Sequence, residues 1–121
     1  MPASGPEPQR GEVYMADLDP VIGHEQGGRR PFLVVSINPM NKSAARLAIG
    51  VPLTTTDRST RMHVRLDPPE GGLNRVSFAT PEMVRSVSTA RLRNRIGYAS
   101  ADTVEMIAQR IGILVGLGRA R

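Results

Sequence analysis

The chain has 121 residues, of which 40% are hydrophobic, a composition typical of one globular domain with a single core. It contains no cysteine and only two histidines, which excludes disulfides and cysteine-based zinc sites and argues against a metal cluster or a two-histidine acid–base pair. The formal net charge of +5 favours a polyanionic partner. No segment has the features of a signal peptide or of a membrane span of ~20 apolar residues, so we expect a cytoplasmic protein without a cofactor.

Short apolar runs separated by polar loops predict a series of β-strands. Residues 1–9 include three prolines and predict a disordered tail, followed by a single domain at residues 10–118. Pro52 falls near the end of the third strand. Because proline cannot donate to a strand ladder, an edge or a bulge is predicted there. The strands are predicted at 12–18, 31–37, 46–53, 62–66, 75–79 and 82–87.

The C-terminal part of the chain predicts helical structure. Residues 89–96 fit a short helix or a helical turn, and Ser100 is a good N-cap for a long amphipathic helix after it. One apolar stripe of this helix is predicted to pack on the sheet. The stripe consists of Val104, Ile107, Ala108, Ile111, Leu114 and Val115. Met106, Ile113 and Leu117 lie off the stripe, which fits either a dimer interface or ordinary partial exposure.

The order of the predicted elements limits the fold class. Short strands with long loops precede one closing helix, and no βαβ alternation, internal repeat or dinucleotide fingerprint is present. We therefore predict a mainly β fold, a small antiparallel barrel or curled sheet with a C-terminal α-helix.

A glycine-punctuated loop brings two arginines, Arg29 and Arg30, to the start of the second predicted strand. Cations are clustered from this point onward, because seven occur between Arg29 and Arg65 against one acid, Asp57. An arginine can bind a phosphate through two parallel hydrogen bonds, which lysine cannot do. The alternative interpretation is a hairpin loop with two solvated arginines.

If the basic region binds RNA, these residues can cleave it without a metal ion. The RNA 2′-OH must attack the adjacent phosphorus, and the site must accept its proton and stabilise the extra negative charge. Arg29 or Arg30 can stabilise that charge, and Thr54 can donate a hydrogen bond to a phosphate oxygen. Glu25 and His24 are the candidate bases. The alternative for Thr54 is a purely structural threonine at the end of a strand.

The residues around this loop closely resemble the opening of the MazF/PemK toxin family. The resemblance covers about residues 10–117, and its long opening motif is its most specific part. The matching segments are Arg10-Gly11-Glu12-Val13-Tyr14, Asp17-Leu18-Asp19-Pro20, Gly23-His24-Glu25-Gln26-Gly27-Gly28-Arg29-Arg30-Pro31-Phe32-Leu33-Val34-Val35, Val51-Pro52-Leu53-Thr54, Glu82-Met83-Val84-Arg85-Ser86-Val87 and Arg91-Leu92.

The resemblance implies a sequence-specific, metal-independent endoribonuclease that cleaves single-stranded RNA. Such a protein is the toxin of a toxin–antitoxin pair and inhibits translation and growth. The implied fold is an SH3-like barrel with a C-terminal helix, and the implied assembly is a homodimer. The implied products carry a 2′,3′-cyclic phosphate and a 5′-OH. The implied inhibitor is a cognate antitoxin that lays an acidic, partly disordered segment over the basic site.

The resemblance also assigns roles to individual residues. The family's catalytic arginine, directly before the proline, corresponds to Arg30; its catalytic threonine corresponds to Thr54, and its loop acid to Glu25. Arg29 and His24 fall at positions where the family varies, so Arg29 is expected to contact substrate rather than to act in the chemical step. The expected substrate-binding residues are Arg29, Gln26, His24, Thr55 and Arg85.

Two other functions are alternatives to RNA cleavage. One is a non-catalytic toxin of the same fold that binds a protein target such as DNA gyrase, and the other is a plain nucleic-acid-binding module. The pairing of Arg30 with Thr54 favours cleavage, because a protein that only binds has no need of that pairing.

Overall fold

Seven antiparallel strands and a C-terminal helix form the described part of the computed structural model, which comprises residues 7–19, 22–24 and 27–118. The strands are β1 (Glu12–Asp17), β2 (Arg29–Val34), β3 (Leu47–Thr54), β4 (Val64–Leu66), β5 (Ser77–Ala79), β6 (Arg85–Ser88) and β7 (Leu92–Tyr98). The helices are α1 (Asn38–Asn41) and α2 (Ala101–Leu114), with 3-10 turns at Glu70–Gly72, Pro81–Met83 and Thr89–Arg91.

The strand β3 is at the centre of the sheet. It pairs with β2 along one edge, and along the other edge it pairs with β6 near its start and with β5 at its end. The full order is β4-β5-β3-β2-β1-β7, with β6 as an additional partner of β3. Because one strand serves two partners along the same edge, the sheet curls. The predicted small antiparallel barrel with a C-terminal helix is thereby confirmed.

Pro52 lies inside β3, and the predicted edge or bulge at this position is wrong. It is opposite Phe32 of β2, and its carbonyl accepts hydrogen bonds from the backbone N–H of Thr80 (3.3 Å) and from the Thr80 hydroxyl (2.9 Å). It falls between Gly50, the last residue of β3 that pairs with β6, and Leu53, the first that pairs with β5. A proline is tolerated there because the missing N–H coincides with the change of partner strand.

Two hydrophobic clusters lie on opposite faces of the central strands. The first packs against α2 and contains Val13, Leu33, Val51, Leu53, Val64, Leu66, Leu73, Ala79, Ala99, Val104 and Ile107. The second contains Tyr14, Ala16, Leu18, Phe32, Val34, Ala48, Val87 and Leu92. Along β2, Leu33 belongs to the first cluster, and Phe32 and Val34 to the second, as the alternation of a strand requires. This burial fixes the rotation of β2 and therefore the direction of every side chain on it.

The helix α2 begins where the sequence predicts. The hydroxyl of Ser100 accepts a hydrogen bond from the backbone N–H of Thr103 at 3.2 Å, so Ser100 is confirmed as the N-cap. Glu70 supports the cap, because its Oε2 accepts from the Ser100 N–H at 2.9 Å and from the Thr103 hydroxyl at 2.6 Å. The predicted apolar stripe packs on the sheet as far as Ile111, whereas Leu114 and Val115 are 46% and 74% exposed. The off-stripe residues Met106, Ile113 and Leu117 are also exposed.

Of the short helix or helical turn predicted at residues 89–96, only a 3-10 turn at Thr89–Arg91 is present, and the rest of the segment is a strand. After the single 3-10 turn Thr89–Arg91, the chain continues as β7 and pairs with β1. The pairing contains two register shifts, which is why β7 lacks the regular alternation by which a strand is recognised in a sequence. Tertiary context overrides local preference here, because without β7 the edge of β1 would present a row of unpaired backbone groups.

The packed part of the chain includes the end of the predicted tail. Pro8 is fully buried, and the backbone N–H of Gln9 donates to Glu12 Oε1 at 2.8 Å. Residues 1–6 lie outside the described residues, and the boundary between tail and domain stays a prediction. Within the described ranges, no helix has the length and apolar character that crossing a membrane would require.

Tyr14 is held in a small polar network at the edge of the second cluster. It is 5% exposed, and its hydroxyl donates to Glu12 Oε1 at 2.9 Å. The other carboxylate oxygen of Glu12 accepts from Arg95 Nε at 2.6 Å. The pKa of Tyr14 is raised from 10.0 to about 12. Burial is the largest cause, and the hydrogen bond to the Glu12 carboxylate is the next. The folded state therefore favours the neutral phenol.

The pKa of Tyr14 predicts a loss of stability at high pH. Because the folded-state pKa is the higher one, the stabilisation is fully present below pH 10.0 and is lost as the pH rises toward about 12. In Tyr98→Phe protein, where Tyr14 is the only tyrosine, phenolate absorbance should rise with a midpoint near 12. In urea titrations, Tyr14→Phe should flatten the fall in stability between these pH values. A phenolate midpoint near 10.0 would contradict the network.

Candidate active site

The loop between β1 and β2 is closed at its base by hydrogen bonds. The two strands end their pairing at Asp17 opposite Arg29. Beyond that pair, the Leu18 N–H donates to the Gly28 carbonyl at 2.9 Å, and the Gly28 N–H donates to Asp19 Oδ1 at 2.8 Å. We call residues 17–19 together with 27–28 the loop neck. Gly28 has φ +73°, a conformation that glycine adopts without strain.

Both arginines of the sequence motif lie in the strand β2 and not in the loop. The sequence predicts a strand that begins at residue 31, but β2 begins at Arg29, with Arg29 opposite Asp17 and Arg30 opposite Ala16 of β1. The pairing with β1 extends β2 by two residues toward the loop. The two cations are therefore fixed by a strand ladder.

Arg30 is partly buried, and one edge of its guanidinium is held by the loop neck. Its Nε donates to the carbonyl of Gly27 at 2.8 Å. The two terminal nitrogens have no hydrogen-bond partner among the described residues. They remain available for two parallel hydrogen bonds to one phosphate group.

The register of β2 and β3, continued beyond its last recorded pair, brings Arg30 to the level of Thr54. Phe32 pairs with Pro52, and the same register continued by two residues brings Arg30 to the level of Thr54. Residues opposite each other in an antiparallel pair share one face, with Cβ atoms about 4.5–5.5 Å apart where the ladder holds. A phosphate group is small enough to contact both side chains from that face.

The hydroxyl of Thr54 is shielded but has its proton available. Thr54 is 8% exposed, and its Oγ1 accepts a hydrogen bond from the Thr56 N–H at 3.1 Å. This contact orients the oxygen and leaves the hydroxyl hydrogen without an acceptor in the part of the chain that the structure describes. Thr55 follows as an exposed residue and stays a predicted substrate contact.

Arg29 and Arg30 are not equivalent. Successive residues of a strand project to opposite faces, so Arg29 projects away from the face that Arg30 shares with Thr54. Arg29 is exposed and forms no hydrogen bond or ion pair with any other residue in the described ranges. Its position suits a long-range contact with a polyanion rather than a role at the reacting phosphate.

The loop residues predicted from the sequence are only partly placed. His24 is exposed in the turn of the loop. Glu25 and Gln26 lie outside the described residues, so their predicted roles as loop acid and substrate contact stay predictions. Among residues 7–19, 22–24 and 27–118, no group of three or more His, Cys, Asp or Glu side chains could hold a metal ion.

Two further arginines reach the loop neck from β6 and from the turn after it. Arg85 Nη1 donates to the Leu18 carbonyl at 3.2 Å, so a residue predicted to bind substrate contacts the backbone of the neck. Arg91 Nη1 donates to the Asp17 carbonyl at 3.0 Å and to the Asp19 carbonyl. The sequence gives no role to Arg91, because nothing in the local pattern links it to a loop more than 70 residues away.

The chain as a whole is similar to a known family of toxins. The family described as "PemK-like, MazF-like toxin of type II toxin-antitoxin system" matches residues 9–115. Since this match spans most of the chain, the chain belongs to that family.

Individual relatives agree with this assignment along nearly the whole chain. Endoribonuclease EndoA of Bacillus subtilis is 32% identical over 111 residues, which cover 90% of this chain and 95% of EndoA. MazF from Deinococcus radiodurans has a similar crystal structure, with a TM-score of 0.81, 28% identity and coverage of 91% of this chain and 97% of MazF. A MazE–MazF crystal structure from the same organism matches with a TM-score of 0.75, 28% identity and coverage of 92% and 97%.

Proposed function

We propose that this toxin is a metal-independent endoribonuclease that cleaves single-stranded RNA by attack of the 2′-OH on the adjacent phosphorus. The observation that carries the proposal is the β2–β3 register, which brings Arg30 and Thr54 to one face of the sheet. Membership of the toxin family and the likeness to an endoribonuclease support it.

Arg30 stabilises the phosphorane that forms during cleavage. Its Nε is engaged by the Gly27 carbonyl, and this contact fixes the plane of the guanidinium before substrate arrives. The two terminal nitrogens then bind two non-bridging oxygens, whose negative charge grows as the 2′-oxygen bonds to phosphorus. A guanidinium is a poor acid, so its contribution is electrostatic.

Thr54 adds a neutral donor to the same phosphate. Its oxygen already accepts from the Thr56 N–H, so the hydroxyl hydrogen points to whatever acceptor enters the site. The 2′-oxygen bonds to phosphorus as the bond from phosphorus to the 5′-oxygen breaks, and the leaving 5′-oxygen takes up a proton from solvent, which leaves a 2′,3′-cyclic phosphate and a 5′-OH. His24 and Glu25, both in the loop, are the candidates to accept the 2′-OH proton.

In this proposal, the loop and exposed polar residues recognise the sequence of the RNA. Aromatic residues make up only 3% of the chain, so a stacking platform of the kind found in many single-strand binders is not the basis of recognition. Arg29, Gln26, Thr55 and His24 can instead contact bases and phosphates through hydrogen bonds.

The toxin acts in the cytoplasm in this proposal, where cleavage of RNA inhibits translation and growth. A cognate antitoxin binds it and blocks the site, as suggested by the likeness to a MazE–MazF complex. An acidic, partly disordered segment suits the basic surface, because charge attraction speeds encounter and folding on binding covers the loop. The exposed apolar residues of α2, among them Ile113 and Leu114, fit the homodimer expected for this family.

The first test is RNA cleavage in EDTA by wild-type protein and by variants of the proposed pair. Arg30→Ala should lower kcat about 10²- to 10³-fold, as loss of an oxyanion donor does. Thr54→Val should lower it about 10- to 100-fold through the loss of one hydrogen bond to a charged group. Thr54→Ser should recover most of the rate because the donor is restored.

Arg46→Ala is the matched control for the loss of a cation, because Arg46 is exposed and directly precedes β3, at the opposite end of that strand from Thr54. It should cleave RNA at the wild-type rate. If wild-type protein leaves the RNA intact, the proposal is overturned. If the protein instead traps cleaved DNA with gyrase, the non-catalytic alternative is favoured.

Arg29→Ala should separate binding from chemistry. Because Arg29 projects away from the face of Arg30, its removal should raise KM and leave kcat within about threefold of wild type. Loss of one phosphate contact to a single strand should also reduce the slope of log affinity against log salt by about 0.7. Fluorescence anisotropy with a labelled RNA at several salt concentrations measures the slope. An unchanged slope with a fall in kcat would assign Arg29 to the chemical step instead.

A further inference from the structure

Three consecutive carbonyls of the loop neck accept hydrogen bonds from two arginines that are distant in the sequence, one in β6 and one in the 3-10 turn after it. Arg91 Nη1 donates to the carbonyls of Asp17 and Asp19, and Arg85 Nη1 donates to the carbonyl of Leu18 between them. These carbonyls lie at the end of β1, where pairing with β2 stops at Asp17. The arginine side chains therefore donate hydrogen bonds to backbone carbonyls at the position where the β1–β2 ladder has ended.

The hydrogen bonds continue from this side of the neck to the guanidinium of Arg30. Asp19, whose carbonyl is bound by Arg91, accepts the Gly28 N–H through its carboxylate at 2.8 Å. The Leu18 N–H donates to the Gly28 carbonyl at 2.9 Å, and the Gly27 carbonyl next to it accepts from Arg30 Nε at 2.8 Å. An unbroken series of hydrogen bonds and peptide units thus joins Arg91 to Arg30.

We propose that Arg91 is a positioning residue for RNA cleavage, which holds the guanidinium of Arg30 in its reactive orientation through the loop neck. Arg85 is the second anchor of the neck. This inference rests on the proposed endoribonuclease function and concerns a residue that does not touch the substrate. A displacement of about 1 Å at a reacting group can cost about 100-fold in rate, so a loose neck is enough to impair catalysis.

The position of Arg91 explains why it acts on the neck and not on RNA directly. Its Nη1 is shared by two backbone carbonyls, and Arg91 is only partly exposed. Arg93, two residues further along β7, is exposed and has no hydrogen bond or ion pair within the described ranges. Arg91 and Arg93 carry the same charge and are two residues apart in the sequence. They differ in that Arg91 donates hydrogen bonds to the neck.

Four variants test the proposal. Arg91→Ala removes the anchor, and Arg91→Lys keeps a cationic donor of similar reach. Asp19→Ala removes the carboxylate that accepts the Gly28 N–H, which is the next hydrogen bond in the series. Asp19 is exposed and is not a cation, so this variant removes no positive charge that could bind RNA. Arg93→Ala removes one cation from β7 without touching the neck and is the matched control. All four are measured in the full chain.

The kinetic arm compares kcat and KM on one RNA substrate. Arg91→Ala and Asp19→Ala should each lower kcat about 10- to 100-fold with KM within about threefold of wild type, because the neck orients Arg30 without binding RNA. Arg91→Lys should recover at least part of the lost rate. Arg93→Ala should leave kcat unchanged.

Hydrogen-exchange measurements test the anchoring of the neck without RNA. Hydrogen exchange of the Leu18 and Gly28 amides, which close the neck, should be faster in Arg91→Ala than in wild type, while the Val34 amide inside β2 keeps its protection. Because this arm measures the neck itself, it supports or overturns the anchoring even if the wild-type protein fails to cleave RNA.

Two results would overturn the inference. One is wild-type kcat in both Arg91→Ala and Asp19→Ala, and the other is a rise in KM with unchanged exchange at Leu18 and Gly28, which would make Arg91 an RNA contact. If Arg91→Ala unfolds, the exposed Asp19→Ala variant decides the question, since its thermal midpoint and its kcat can be compared in the same sample.

Discussion

The pairing of β2 with β3 is the constraint on which the site depends. Its register places Arg30 at the level of Thr54, although 24 positions separate the two residues in the sequence. The register is fixed because Leu33 and Phe32 are buried in clusters on opposite faces of the strand, and a slip of one residue would exchange them. The same packing that stabilises the fold therefore orients the two groups that we propose bind the phosphate.

The loop beside this pair is held at its base by hydrogen bonds. Bonds from Leu18, Asp19, Arg85 and Arg91 hold the neck, whereas His24 at the tip is exposed. Such a division suits a nuclease with a proteinaceous inhibitor. A fixed base keeps the reacting groups oriented, and an exposed tip can adapt to RNA or to an antitoxin segment.

The sequence was sufficient for the fold class and for the N-cap at Ser100, because each depends on a local pattern. The roles of Arg30 and Thr54 come from a specific motif and stay predictions. It was not sufficient for β7, whose strand conformation comes from the edge of β1 and not from its own residues. It also could not reveal the hydrogen bonds of Arg91 to the carbonyls of residues 17 and 19, which are far away in the chain. Long-range contacts of this kind leave no periodicity to detect.

The central claim is that Arg30 and Thr54 act on one phosphate, and a double-mutant cycle tests it most directly. Single-turnover cleavage rates are measured for wild type, Arg30→Ala, Thr54→Val and the double variant. Groups that stabilise the same transition state are not additive, so the double variant should be much less impaired than the product of the two single losses. Losses that multiply fully would show that the two residues act independently and would contradict the shared site.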